Sequence, residues 1–387
     1  MRKITVGIDI GTHTTRVVVC EHLKDSALPV IIGTGQAESK GMRHGYIVNS
    51  GEILKSIKRA LYEAEKSSGI KIKQVIASIG GISLKSDVTI GSAIISKADT
   101  EVTALDVDKA VKESEQALVL TNRRIIYSNI LSCKLDGKEV LGRPEGMKGI
   151  KLEARVLYVS ALEQHLDDFE AVLLEAGVEV IDILPSPVAA SAIALTERQR
   201  TVGVALVNVG AETVSLAVYE NNALIGLHVF SIGSTDITND IALGLKIPLE
   251  EAESIKIGTT MNNNYSKRKL DEIIDARLSD IFELIENYLK KIKRSELLPA
   301  GIIMTGGGVG LPVIEELARS VLKLPTKIGS GEMVTVAKGK LRDSSWFVSY
   351  GLVVTSRRQS SYGDEGFGSV AKSVSEGLSS FFKQFLP

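Results

Sequence analysis

Val6-Gly7-Ile8-Asp9-Ile10-Gly11-Thr12-His13-Thr14-Thr15-Arg16-Val17-Val18-Val19 alternates apolar and small residues up to Ile10, turns through a short polar run, and returns in valines. That pattern predicts two short strands joined by a tight turn. Gly7 and Gly11 carry no side chain, so a ligand is expected to lie close to the backbone there. The free amides of such a turn make an anion cradle, and Thr12, Thr14 and Thr15 add hydroxyl donors. Asp9 is expected at the strand end, facing the cradle. An acid beside a phosphate site makes chemical sense when a hydrated Mg²⁺ lies between them.

The pattern recurs. Ile8 to Val19 lines up with Val207-Asn208-Val209-Gly210-Ala211-Glu212-Thr213-Val214-Ser215-Leu216-Ala217-Val218. Two copies of one hairpin suggest two related lobes facing a shared cleft. A third cluster, Met304-Thr305-Gly306-Gly307-Gly308, follows an apolar strand pattern and precedes a helix expected from Leu311 to Leu322. It lets backbone approach a base or sugar.

This constellation resembles the actin and heat-shock chaperone ATPase superfamily, and within it the FtsA family of actin-like cell-division proteins. The resemblance runs over nearly the whole chain. It also rests on Ser39-Lys40-Gly41-Met42-Arg43-His44-Gly45-Tyr46-Ile47-Val48-Asn49, on Gly233-Ser234-Thr235-Asp236-Ile237-Thr238-Asn239-Asp240-Ile241-Ala242-Leu243-Gly244-Leu245, and on Pro248-Leu249-Glu250-Glu251-Ala252-Glu253-Ser254-Ile255-Lys256. The resemblance implies an α/β, actin-like (ribonuclease H-like) two-lobed fold with a small α+β insertion subdomain and a C-terminal amphipathic helix. It implies ATP with Mg²⁺ between the lobes. Asp9, Gly11, Thr12, His13, Thr14 and Arg16 would come from the first hairpin, and Gly210, Ala211, Glu212 and Thr213 from the second. Glu253 and Lys256 match positions near ribose and adenine, and Gly306, Gly307 and Gly308 match the adenosine motif. Asp9 would reach the Mg²⁺ through water, and no residue is assigned a catalytic role.

The second turn departs from the family pattern. Asn208 stands where an Asp is usual, and Ala211 and Glu212 stand where glycines are usual. Asn208 cannot supply a carboxylate to orient water or Mg²⁺. The expectation is a chain that binds ATP as a structural ligand and is at most a weak ATPase. Glu212 has two readings at this point: a charge that repels phosphate, or a metal-side carboxylate replacing the missing Asp.

Length and composition bound the rest. The 387 residues allow two domains or more and an ample core. A formal net charge of −1 provides no whole-chain basic field for nucleic acid. Cys20 and Cys133 form no motif; Cys20, in a strand pattern, is expected as a small buried group, and a reducing cytoplasm fits. Asp9 interrupts the first apolar stretch too early for a signal peptide. No run approaches the roughly 20 apolar residues of a spanning helix, so membrane contact is expected from the surface. His13, His22, His44, His165 and His228 are scattered and suggest no protein metal site.

The boundaries expected are a first lobe core over 1–83 and 158–200, with an insertion over 84–157. A second lobe core covers 201–233 and 300–355, with a subdomain over 234–299. Within these, Ile53 to Ser68 and Leu270 to Ile292 read as amphipathic helices. Thr103 to Asp106 reads as a capping box. Pro185-Ser186-Pro187 precedes a small-residue helix at a hinge or packing contact between the lobes, and Asn262-Asn263-Asn264 marks a loop. By resemblance, the insertion serves self-assembly into a polymer and contacts with later division proteins, and the 234–299 region receives the C-terminal tail of FtsZ. Lys291, Lys293 and Arg294 lie near that region and suit an acidic peptide.

Residues 356–369 read as a flexible linker and 370–387 as an amphipathic helix. Val374, Leu378, Phe381, Phe382, Phe385 and Leu386 gather with Val370 on one side, suited to lie among membrane lipid acyl chains. The polar face is nearly neutral, so apolar burial rather than attraction to anionic lipid is the main term. The resulting expectation is an adaptor that tethers FtsZ filaments to the cytoplasmic face of the cell membrane at the division site. A PilM-like adaptor of a type IV pilus assembly platform is the alternative, favoured by the wording of Val209 to Thr213. A sugar kinase of this fold is a third reading, weakened by Asn208.

Overall fold

The computed structural model describes residues 3–23, 28–259, 265–329 and 343–362. The first lobe opens with β1 (Lys3–Ile10), β2 (Thr14–His22) and β3 (Val30–Glu38), an antiparallel meander. A small hairpin, β4 (Met42–Arg43) and β5 (Tyr46–Ile47), leads into α1 (Ser50–Ser68). The Asn49 side chain accepts the Glu52 amide and caps α1, which buries Ile53, Ile57, Ala60 and Ala64 on one stripe. β6 (Gln74–Ile79) then runs parallel to β1.

The chain next leaves this sheet to build a second, four-stranded one from β7 (Lys85–Ile94), β8 (Arg123–Leu135), β9 (Lys138–Val140) and β10 (Lys151–Leu162), in the order β7-β10-β8-β9. α2 (Ala104–Gln116) covers it, started by the reciprocal box of Thr103 and Asp106. Its core joins Val107, Ala110 and Val111 of α2 to Leu152, Ala154 and Val156 of β10. Burial pushes the Cys133 thiol up to about 11, and Cys20 is buried as well. Both behave as small apolar groups.

α3 (Glu163–Glu175) and β11 (Glu179–Pro185) return to the first sheet, completing the order β11-β6-β1-β2-β3. α4 (Ser186–Ala194) and α5 (Glu197–Val202) then bridge to the second lobe. There β12 (Val204–Val209), β13 (Val214–Glu220) and β14 (Ala223–Phe230) repeat the antiparallel meander. After α6 (Ser234–Leu245), α7 (Leu249–Lys256) and α8 (Lys267–Lys291), β15 (Ile302–Thr305) lies parallel to β12. α9 (Ile314–Leu322) and β16 (Thr326–Ile328) close the order β14-β13-β12-β15-β16. The two large sheets thus carry one topology twice.

α10 (Phe347–Tyr362) sits between them with α4. A central core of Val18, Ile76 and Ile79 from one sheet and Leu206, Ala217 and Leu227 from the other packs on Ala189, Ile193, Phe347 and Leu352. The outer face of the first sheet is covered by α1 and α3, and that of the second by α6, α8 and α9. A Cβ on Gly351 would stand 1.9 Å from the Ala189 carbonyl, so the small residues of α4 serve close helix packing.

Several boundaries differ from the sequence reading. Gly7 does not make room for a ligand: a Cβ there would lie 2.2 Å from the Ser349 carbonyl, so its missing side chain seats α10 on β1. α10 continues to Tyr362, into the stretch read as linker from 356. The helix expected from Leu311 starts at Ile314, after a 3₁₀ turn over Gly307–Gly310. The short strand β16 carries too few residues to show a period. Asn262-Asn263-Asn264 and the amphipathic segment with Val374, Leu378, Phe381, Phe382, Phe385 and Leu386 lie outside the described residues. Among the described residues no helix is long and apolar enough to cross a membrane.

Candidate nucleotide cleft

The two lobes carry equivalent turns. In the first, the Gly11 amide donates to the Thr14 carbonyl at 3.2 Å; in the second, the Gly210 amide donates to the Thr213 carbonyl at 2.8 Å. The same bond closes both, as expected when the strands on either side share one geometry. The amides of Thr12, His13, Ala211 and Glu212 donate to no partner among the described residues. Runs of unpartnered amides of this kind are suited to an anion.

Asp9 ends β1 beside the first turn and accepts from the Ser78 hydroxyl at 2.6 Å. Burial raises its carboxyl above the ordinary value, opposed by that hydrogen bond and by the charge of Arg16. Among the described residues no three His, Cys, Asp or Glu side chains gather to hold a metal. A Mg²⁺ here would take its ligands from phosphate oxygens and water, with Asp9 in support, which suits this cation. Arg16 is held between an aromatic ring and two acids. Its guanidinium lies 5.7 Å over the Trp346 ring, and its charge faces Asp9 and Asp343. Thr15 is buried on the Ser39 hydroxyl at 2.8 Å, so of the turn's three threonines it faces inward.

On the second lobe, α7 aims Lys256 at the first turn of α6. Its ammonium donates to the Ser234 carbonyl at 3.0 Å and the Thr238 hydroxyl at 2.8 Å, and pairs with Glu253 at 2.7 Å. The lysine side chain is 8% exposed and the glutamate 46%, so the knot presents its carboxylate outward. Burial would raise the Glu253 carboxyl, but Lys256, Thr238 and the charge of His13 together hold it below the ordinary value. His13 of one lobe and Glu253 of the other therefore face each other across the cleft.

The third glycine cluster divides its work. Gly306 has φ 98°, and a Cβ there would be 2.3 Å from Asn208 Oδ1 and 2.4 Å from the Val209 carbonyl. Gly308 is pressed on Val209. Gly307 is exposed and has nothing within 4 Å of a Cβ. The Asn208 carboxamide lies over Gly306, where it lines the floor without a negative charge.

Glu212 turns to a partner the sequence reading did not name. Its carboxylate accepts the His44 amide at 2.6 Å, and its carbonyl lies 3.1 Å from His44 Nδ1. His44 belongs to the turn between β4 and β5, in the opposite lobe. The block from Ser39 to Asn49 was visible in the sequence, but nothing local in it shows which residue it meets. Arg294, expected near an acidic peptide, is committed to Glu220 at 2.5 Å. Lys291 and Lys293 remain near that surface.

Twofold repetition of one sheet topology, facing turns and an insertion after β6 define an actin-like two-lobed protein. Solved structures agree on the fold. The PilM–PilN type IV pilus biogenesis complex aligns with TM-score 0.69 at 16% identity, over 91% of this chain and 98% of that one. MreB5 of Spiroplasma citri bound to ADP aligns at 0.55 and 12% identity, over 94% and 99%. A family model described as Cell division protein FtsA matches residues 205–351, and one described as the SHS2 domain inserted in FTSA matches residues 81–160. Cell division protein FtsA of Bacillus subtilis is 29% identical, over 91% of this chain and 83% of its own length. That of Streptococcus pneumoniae is 30% identical, over 83% and 74%. The chain belongs to the FtsA family of cell-division proteins.

Proposed function

We propose that this chain is an actin-like adaptor that binds ATP between its lobes, self-assembles, and tethers FtsZ filaments to the cytoplasmic face of the cell membrane at the division site. The observation that carries the nucleotide part is the pair of identically bonded turns, one per lobe, with Gly307 open beside them. A related fold, MreB5 of Spiroplasma citri, was crystallised with ADP. A magnesium ion would come with the phosphates, and Asp9 is the acid placed to hold one of its waters. The site holds a nucleotide rather than consuming it, because Asn208 supplies no carboxylate to position water, and hydrolysis is slow at most. Family membership supports the FtsZ and polymer roles. Among the described residues, α6 to α8 form the surface assigned to the FtsZ tail, braced by Arg277, which pairs with Asp240 at 2.6 and 3.0 Å. The insertion sheet is the surface for a neighbouring copy and for later division proteins. The segment with Phe381, Phe382 and Phe385 supplies the lipid contact.

Two measurements test this. Titration with a fluorescent ATP analogue and Mg²⁺ gives saturable binding to the purified chain; no binding at millimolar ligand rejects the nucleotide role. An immobilised FtsZ C-terminal peptide retains the chain, while a pilus-protein N-terminal peptide does not; the reverse result returns the pilus-platform alternative.

A further inference from the structure

The cleft already closes on the protein's own atoms. We propose that Glu212 and His44 form a clasp between the lobes that replaces the terminal phosphate as the closing contact, so that the site takes a nucleoside diphosphate at least as readily as a triphosphate. This rests on the reading of the cleft as a nucleotide site. The clasp has two strands, the His44 amide on the Glu212 carboxylate at 2.6 Å and His44 Nδ1 donating to the Glu212 carbonyl at 3.1 Å. An amide bonded to an ionised group is among the stronger neutral-to-charged contacts.

Its footing is rigid. His44 sits at φ 47° at the tip of the β4–β5 turn. The next carbonyl, that of Gly45, accepts from His165 Nε2 at 2.8 Å. With Nε2 donating, His165 Nδ1 accepts from the Ser83 hydroxyl at 2.6 Å. Tyr46 stacks on the same imidazole, with ring centroids 4.5 Å apart. Ser83 is held in turn by Arg123 of the insertion, which also reaches Ser160 at 2.9 Å. The turn that catches Glu212 is thus fixed before any ligand arrives, and the ordering cost of closure is met in advance.

Charge sets the direction of selectivity. A carboxylate fixed in the second turn acts most strongly against the outermost, most charged phosphate. A ligand that gains nothing from the closed state shifts no population towards it. A terminal phosphate therefore adds repulsion without adding closure.

The test separates clasp from charge. Spin labels at Lys55→Cys on α1 and Asp271→Cys on α8 report the interlobe distance in the full chain without nucleotide; both positions are exposed and the native cysteines are buried. The parent chain gives one narrow distance. Glu212→Gly, which loses the carboxylate that accepts the His44 amide and keeps only the backbone-carbonyl strand, lengthens and broadens it. Glu212→Gln keeps an acceptor for the His44 amide and retains the narrow distance. In competition titrations the parent binds ADP at least as tightly as ATP, and both variants shift the ratio about tenfold towards ATP. An unchanged distance in Glu212→Gly overturns the clasp. A parent chain that prefers ATP tenfold or more overturns the selectivity. If neither nucleotide binds, the nucleotide reading falls, and the distances decide the clasp alone.

Discussion

Gly306 and Gly307 are chain neighbours with opposite duties. Gly306 occupies a left-handed conformation pressed against Asn208 and Val209, so Gly306→Ala strains the backbone and forces a clash. Its unfolding free energy should fall by about 2–3 kcal/mol, read by denaturant titration. Gly307 has open space where a side chain would go, so Gly307→Leu should leave the denaturation midpoint unchanged. It should also weaken nucleotide binding about tenfold or more, by obstructing the ligand rather than the fold. A binding curve matching the parent's would remove Gly307 from the site. The sequence presented Gly306, Gly307 and Gly308 as one motif, because glycine spacing shows freedom but not what uses it. The same blindness applies to Gly7, whose tight neighbour, Ser349, is remote in sequence. It applies to Arg16, which the family resemblance grouped with nucleotide ligands and whose packing on Trp346 no local pattern shows.

At the scale of elements, the β4–β5 hairpin is held by one buried imidazole. Burial lowers the basicity of His165 below the ordinary value of 6.5, against opposing effects from the Gly45 carbonyl and Asp168. The folded chain keeps it neutral, while the unfolded chain takes up a proton near pH 6.5. Below that pH the unfolded state binds more protons, so stability declines as pH falls. His165→Gln should lower stability at neutral pH and flatten this decline, seen as a smaller change in melting temperature between about pH 7 and about pH 5. An equal change in both proteins would show that His165 does not carry it. Long periodic elements such as α1 and α8 were readable because their apolar stripes repeat over several turns. The role of the hairpin was not, because its partners Glu212 and His165 come from distant parts of the chain. Glu212 itself was readable only as an anomaly. Its charge was evident, but the amide that absorbs it was not.

For the whole molecule, repetition was the most legible signal. The alignment of Ile8 to Val19 with Val207 to Val218 anticipated two lobes, and the two sheets share one strand order. The proposed lipid contact belongs to this scale too, because on that proposal it rests on the terminal segment and on many copies acting together. The full chain should float with phospholipid vesicles, and a version ending before Val370 should remain at the bottom of the gradient. Flotation of the shortened version would place the lipid contact elsewhere. The central core also fixes an order of events. β1 is synthesised well before α10, yet its inner surface is covered by that helix. A nascent first lobe must therefore wait, half-dressed, until α10 has followed it. Factors that shield growing chains have their strongest claim on the Gly7 side of that first strand.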